Sequence, residues 1–178
     1  MLRLFVGLAL PDLWKDQLAA LAGGIPGVRW VPPANYHLTL RFIGEIETWQ
    51  AEEVDAALAA IRAPRFDLAL AGVGTFEKGG RIQSLHITAE RSPGLARLQS
   101  KVETAIQRVG LEPDRRRFAP HVTLARCDRA ETAKIIGFVQ AHSLFRSPPL
   151  PVEGFTLFSS YLGKEAAHYV PEVEYELA

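Results

Sequence analysis

The sequence predicts an α+β fold of two pseudo-equivalent lobes, each an antiparallel sheet with helices packed outside, around a central cleft carrying two His-x-Thr strands. Two observations lead there. Apolar strand patterns and amphipathic helix patterns come in similar order before and after roughly residue 90. Within them, His37-Leu38-Thr39-Leu40 and His121-Val122-Thr123-Leu124 repeat one spelling 84 residues apart (121 − 37). In an extended strand, residues i and i+2 share a face. Each histidine therefore shares a face with its threonine, and the intervening apolar residues face the core.

The elements follow in chain order. Leu2 to Leu8 reads as a buried strand ended by Pro11, and Trp14, Leu18 and Leu21 recur at helical spacing until Gly23-Gly24. Val28 to Val31 is a short strand, and Pro32-Pro33 forces an extended entry into the first His-Thr strand, which Gly44 closes near Phe42. Thr48 is the expected N-cap of a helix whose face is Val54, Ala57, Leu58 and Ile61, ending at Pro64. Phe66 to Val73 alternates in polarity. Ile82 to Ala89 follows after the turn Lys78-Gly79-Gly80, which suggests a hairpin. Ser92-Pro93 caps a helix with the stripe Leu95, Leu98, Val102, Ala105, Ile106 and Val109, stopped by Gly110. The basic loop Arg115-Arg116-Arg117 feeds the second His-Thr strand. Ile135, Phe138 and Val139 mark a short helix, and Phe155 to Phe158 and Tyr169 to Leu177 are final strands around a turn at Gly163-Lys164.

Composition narrows the classes. An apolar content of 48% without low-complexity runs describes a globular chain, expected as a single bilobal domain over 1–178. No run approaches the ~18 apolar residues of a membrane span, and Met1 to Leu10 lacks a cleavage pattern, so no membrane partner is expected. The one cysteine, Cys127, excludes an internal disulfide framework and agrees with a cytoplasmic location. With 20 basic and 20 acidic residues, any affinity for nucleic acid must come from a local patch.

The stretches His37-Leu38-Thr39-Leu40-Arg41-Phe42-Ile43-Gly44 and Pro120-His121-Val122-Thr123-Leu124-Ala125-Arg126 resemble the paired motifs of the two-histidine (2H) phosphoesterases. Within that superfamily the chain is similar to the 2′-5′ RNA ligases, better described as RNA 2′,3′-cyclic phosphodiesterases. The opening Arg3-Leu4-Phe5-Val6-Gly7-Leu8 and the closing Phe155 to Leu162 with Tyr169 extend the likeness over nearly the whole chain. It implies hydrolysis of a 2′,3′-cyclic phosphate at RNA or oligonucleotide ends to a 2′-phosphate, without cofactor or metal, with His37 as proton donor and His121 as acceptor. It also implies reversible 2′-5′ RNA ligase activity.

The residues agree with that chemistry. Opening a cyclic phosphate needs one base and one acid, and histidine, with a pKa of about 6.5, can be either at neutral pH. The residues alone do not say which is which. Thr39 and Thr123 can donate to the non-bridging oxygens, where charge must be held. Arg41, at i+4 from His37, shares its face if the strand stays regular and is a candidate phosphate contact. Arg126 is at i+5 from His121, the wrong parity. The family places an arginine there beside substrate, so the strand is expected to end, bulge or twist before it. Phe42 and Tyr161 are candidate base contacts.

Each signal also has a structural reading. One His-x-Thr is an ordinary strand, and only the duplication with matching flanks carries catalysis. A zinc site is disfavoured, because neither motif offers a second ligand at metal spacing. His86-Ile87-Thr88-Ala89 is a third copy at a strand where family members often carry a tryptophan, so it is aligned outside the catalytic pair. His142, His168 and Cys127 read as structural. The Arg115 to Arg117 loop either tracks RNA or is simply solvated. A phosphodiesterase for a small cyclic nucleotide and a non-catalytic RNA-binding module are the alternatives. A monomer is expected.

Overall fold

The computed structural model describes residues 1–178. Ten strands and four α-helices alternate as β1 (Leu2–Ala9), α1 (Asp12–Leu21), β2 (Arg29–Trp30), β3 (His37–Ile46), α2 (Thr48–Ala59), β4 (Phe66–Leu68), β5 (Leu70–Lys78), β6 (Arg81–Ala89), α3 (Pro93–Arg108), β7 (His121–Arg126), α4 (Thr132–Ala141), β8 (Leu150–Val152), β9 (Gly154–Tyr161) and β10 (His168–Glu176). A 3₁₀ turn at Pro33–Asn35 precedes β3. No helix is long and apolar enough to cross a membrane.

The main sheet runs β10-β9-β1-β3-β7-β6-β5, with β2 against β7. Its neighbours are antiparallel, and β3 and β7 lie side by side in the middle. They are joined through a single residue pair, Leu38 with Val122. Beyond that pair the two half-sheets part, which opens the cleft. A second, two-stranded sheet pairs β4 with β8.

The two lobes are not the two halves of the sequence. The half-sheet around β1 and β3 is completed by β9 and β10 from late in the chain, while that around β7 takes β5 and β6 from the first half. Each half of the chain thus gives its last hairpin, β5–β6 or β9–β10, to the other lobe, and β4 and β8, just before those hairpins, pair with each other. This exchange is invisible to local patterning.

Most expected elements form where their periodicity puts them. Ser92 caps α3, its Oγ accepting from the amide of Leu95 at 3.1 Å, and Leu95, Leu98, Val102, Ala105 and Ile106 are buried. The β5–β6 turn has Gly79 and Gly80 both at positive φ, which glycine takes without strain and which a two-residue hairpin turn requires. Three expectations are corrected. Gly44 does not close β3; it sits inside the strand at φ 87°, beside an irregularity in the pairing with β1. Thr48 is not the N-cap of α2. Glu47 is, in a reciprocal box with Gln50, because a carboxylate there reaches the exposed amides while Gln50 returns a bond to the Glu47 amide. The alternating stretch from Phe66 divides, Phe66–Leu68 pairing with β8 and Leu70 onward with β6.

Candidate active site

Strand alternation sets up the cleft. Leu38, Leu40, Val122 and Leu124 are buried in the core, and His37, Thr39, His121 and Thr123 are half-buried on the opposite faces of β3 and β7. A cavity of about 720 Å³ between the lobes is lined by Thr39, Phe42, Phe76, Ser84, His121 and Arg126, among others.

Both imidazoles are held the same way. His37 Nδ1 lies 2.7 Å from the carbonyl of Asn35, and His121 Nδ1 lies 2.6 Å from the carbonyl of Ala119, in each case two residues upstream. A carbonyl only accepts, so Nδ1 carries the proton and the neutral ring presents Nε2 as an acceptor. The two differ at Nε2. That of His37 lies 2.9 Å from Thr39 Oγ1, while that of His121 has no protein partner. Asn35 is itself tied down, its Nδ2 donating 2.7 Å to the carbonyl of Ala167 between β9 and β10.

Burial lowers the pKa of both histidines. For His37 the charges of His121 and Lys15 add to that effect, against the hydrogen bond to Asn35. For His121 the charge of Arg126 adds to it, against the bond to Ala119. Each imidazole therefore has one cation near it, and His121 is close enough for its charge to act on His37.

Both motifs carry the same bulge. Opposite β1, Gly7 pairs with Thr39 and Val6 with Arg41, so Leu40 is the extra residue; opposite β6, His86 pairs with Thr123 and Leu85 with Ala125, so Leu124 is extra. A bulge reverses the alternation downstream of it. That is why Leu124 and Ala125 are both buried and Arg126, the last residue of β7, lines the cleft despite its i+5 spacing.

The same geometry corrects Arg41. Past the bulge it turns inward and is 6% exposed. Its Nε donates to Glu103 Oε2 at 2.5 Å, and its other nitrogens reach the carbonyls of Phe42 and Glu112. A guanidinium so occupied is a strut, not a free phosphate donor. The residue that reaches the cleft at the position equivalent to Arg126 is Phe42, 52% exposed. Tyr161 is not among the cleft-lining residues. The aromatic ring beside His37 on that side is Tyr169, edge-on at 5.1 Å, with Phe5 at 4.8 Å.

His86, set apart from the pair by sequence, lies against it. Its ring centroid is 5.0 Å from that of His121 and 4.4 Å from that of Phe76, which meets His121 edge-on at 4.7 Å. Gly74, opposite on β5, leaves the space: a Cβ there would fall 2.6 Å from His86 Nε2. His86 Nδ1 is buried without a partner, and burial, with the charge of His121, pulls the pKa down to about 4. It is a neutral wall behind His121. Phe76, Ser84 and Lys15 are the neighbours that sequence reasoning missed. Only the β5–β6 register or the packing of α1 could have placed them. His142 stacks on Phe138 at 4.3 Å, and Cys127 is buried with its pKa raised, mainly by burial.

Two half-sheets meeting at one residue pair, each with a His-x-Thr face pinned through Nδ1, define the protein as a 2H phosphoesterase. Comparison with known proteins agrees. A family model described as "LigT like Phosphoesterase" matches twice, over residues 8–86 and 85–168, and the chain belongs to that family. Among curated relatives, the RNA 2′,3′-cyclic phosphodiesterase of Aeropyrum pernix is 38% identical over 63% of this chain and 62% of its own length. That of Archaeoglobus fulgidus is 26% identical over 94% of this chain and 96% of its own. Among solved structures, E. coli LigT complexed with 3′-AMP superposes with a TM-score of 0.80 at 27% identity, covering 99% of this chain and 98% of that one.

Proposed function

We propose that this chain hydrolyses 2′,3′-cyclic phosphate at RNA or oligonucleotide ends to a 2′-phosphate by histidine acid–base catalysis. The observation that carries the reading is the pair of imidazoles with Nδ1 fixed on a backbone carbonyl and Nε2 left for chemistry, one from each lobe. The names of the relatives, RNA 2′,3′-cyclic phosphodiesterases, support it.

In this mechanism His121, whose Nε2 is unpartnered, takes a proton from water as its oxygen attacks phosphorus. The bond from phosphorus to the 3′ oxygen breaks on the opposite side. His37, entering as the imidazolium, passes its Nε2 proton to that oxygen, and the phosphate stays on the 2′ oxygen. The mutual repulsion of the two imidazolium charges favours a pair holding one proton, as an acid and a base together require. Bound phosphate recruits Thr39 from His37, and Thr39, Thr123 and Arg126 hold the non-bridging oxygens as charge builds. Phe42 is the candidate base contact.

Imidazoles supply both proton transfers, so the scheme calls on no metal. With a 5′-hydroxyl in place of water as the nucleophile, the same step, breaking the bond from phosphorus to the 3′ oxygen, forms a 2′-5′ linkage. The reading takes residues 1–178 as one bilobal unit acting as a monomer, because one chain supplies both histidines, and in the cytoplasm, with which the single free cysteine agrees.

The test is a short RNA ending in a 2′,3′-cyclic phosphate, incubated with EDTA, with the product's phosphate position read by phosphorus NMR. A 2′-phosphate is the expected product. RNA binding without turnover would sink the catalytic reading, and turnover only after adding metal would sink the histidine mechanism.

A further inference from the structure

One wall of the cleft is built for more than a phosphate. Phe42 and Phe76, 52% and 38% exposed, both line it, one from each lobe. Large apolar rings left open in a polar cleft lose the stabilisation of burial, roughly 1.5–3 kcal/mol for a full side chain. Around them stand Lys78, Arg116, Arg117 and Arg126. Lys78, Arg117 and Arg126 form no ion pair, and Arg116 makes only an exposed contact with Asp114 at 3.4 Å while its guanidinium carbon lies 6.0 Å from the Phe42 ring centre. Of the three carboxylates lining the cavity, Glu103 is taken by Arg41 and Asp114 by Arg116, leaving only Glu77 unpaired. The cleft thus sets three unpaired cations and the exposed Arg116 around two open rings, against one unpaired carboxylate.

The loop that carries Arg116 and Arg117 is held at its root. Glu103, on α3, accepts from Arg41 and from the amide of Asp114 at 2.8 Å, and Arg41 donates to the carbonyl of Glu112. Burying an ion pair costs desolvation, and its common return is a fixed geometry rather than net stability. Here the fixed object is the segment 112–114, and with it the direction in which Arg116 and Arg117 leave.

We propose that Phe42, Phe76, Lys78, Arg116 and Arg117 form a binding strip for the single-stranded nucleotides that precede the cyclic phosphate. The strip selects an RNA end over a mononucleotide. It rests on the reading of the cleft as a site for RNA ends and adds what that reading leaves open, how a longer substrate is told from a short one. Stacking on aromatic rings tolerates any base, and cations beside the rings follow the backbone, so the strip prefers length without preferring sequence.

The experiment uses two readouts. Binding of a 5′-fluorescein hexaribonucleotide ending in 2′-phosphate is followed by anisotropy across a salt series, and turnover is measured on adenosine 2′,3′-cyclic phosphate and on the same hexamer with a cyclic end. For Arg116→Ala/Arg117→Ala, hexamer binding weakens about ten-fold at low salt, and the slope of log affinity against log salt falls by about 1.4, from about 0.7 per lost phosphate contact. Hexamer turnover falls with it, while mononucleotide turnover stays within about two-fold, since neither side chain reaches the reacting phosphate in this scheme. Equal hexamer binding by wild type and variant overturns the strip, as does a parallel loss on both substrates. If neither substrate turns over yet the variant still binds the hexamer more weakly, the strip stands and the hydrolytic reading falls.

Discussion

At the residue scale, an imidazole is useful here only when its tautomer and charge are set in advance. The carbonyls of Asn35 and Ala119 set the tautomer, and burial sets the charge. Substituting His37→Ala or His121→Ala removes a proton carrier and should lower kcat by about 10²–10⁴-fold with the circular dichroism spectrum unchanged; a folded, fully active variant of either would end the mechanism. His86 has a different liability. Above about pH 6.5 its ring is neutral in both folded and unfolded chains. As the pH falls toward 4, the unfolded chain takes up a proton that the buried ring refuses, so stability is lost in that window, by at most about 3 kcal/mol at roughly 1.4 kcal/mol per pKa unit. The variant His86→Phe should lose less stability than wild type between pH 7 and pH 4.5 in urea titrations; parallel curves would show that His86 does not titrate this way. Arg41 is a third case. Burial would raise the Glu103 carboxyl, but hydrogen bonds from Arg41, Gln107 and the Asp114 amide outweigh it and hold it below the usual range. Removing the guanidinium in Arg41→Met strands that carboxylate and should cost roughly 3 kcal/mol in urea unfolding at pH 7, whereas a free phosphate ligand would affect KM and leave stability alone.

At the element scale, the matched bulges in β3 and β7 decide which side chains enter the cleft. The extra residue, Leu40 or Leu124, leaves His and Thr on one face and turns the fourth residue past the histidine inward. One device thus buries Arg41 and Ala125 and exposes Phe42 and Arg126. The β5–β6 hairpin makes a second arrangement, in which Gly74 gives up its side chain so that His86 can stack on Phe76 and lean against His121. Gly74 has no positive φ, so an alanine there meets only the ring. Gly74→Ala should cost about 1–3 kcal/mol by overpacking and lower kcat by moving the wall of His121. In a His86→Ala background the stability cost should largely vanish; additive costs in that double-mutant cycle would place the strain elsewhere.

At the scale of the whole molecule, each lobe supplies one proton carrier, and the lobes touch through Leu38 and Val122 at the root of the cleft. The exchange of the β5–β6 and β9–β10 hairpins ties the two lobes together. Their pH behaviour follows. With both pKa values lowered, kcat/KM, which reports the free enzyme, should be bell-shaped with its maximum on the acid side of pH 6.5. Once an anionic phosphate is bound, the imidazolium is favoured, so the alkaline limb of kcat should move to higher pH. A profile flat from pH 5 to 8 would contradict histidine as either proton carrier.

The sequence by itself determined the reading of the two His-x-Thr strands, the amphipathic helices, the hairpin turn at Gly79-Gly80 and the capped helix at Ser92, because each is written in local periodicity. The irregularity before Arg126 followed only from the family resemblance, since local parity turns that residue away, and the same parity put Arg41 on the face of His37. Only the tertiary structure decided that the β5–β6 and β9–β10 hairpins change lobes, that Arg41 is a strut to Glu103, that Tyr169 rather than Tyr161 lies beside His37, and that His86 backs His121. Register, bulges and contacts between strands far apart in the chain come from the packing of one surface on another, and no window of neighbouring residues contains that surface.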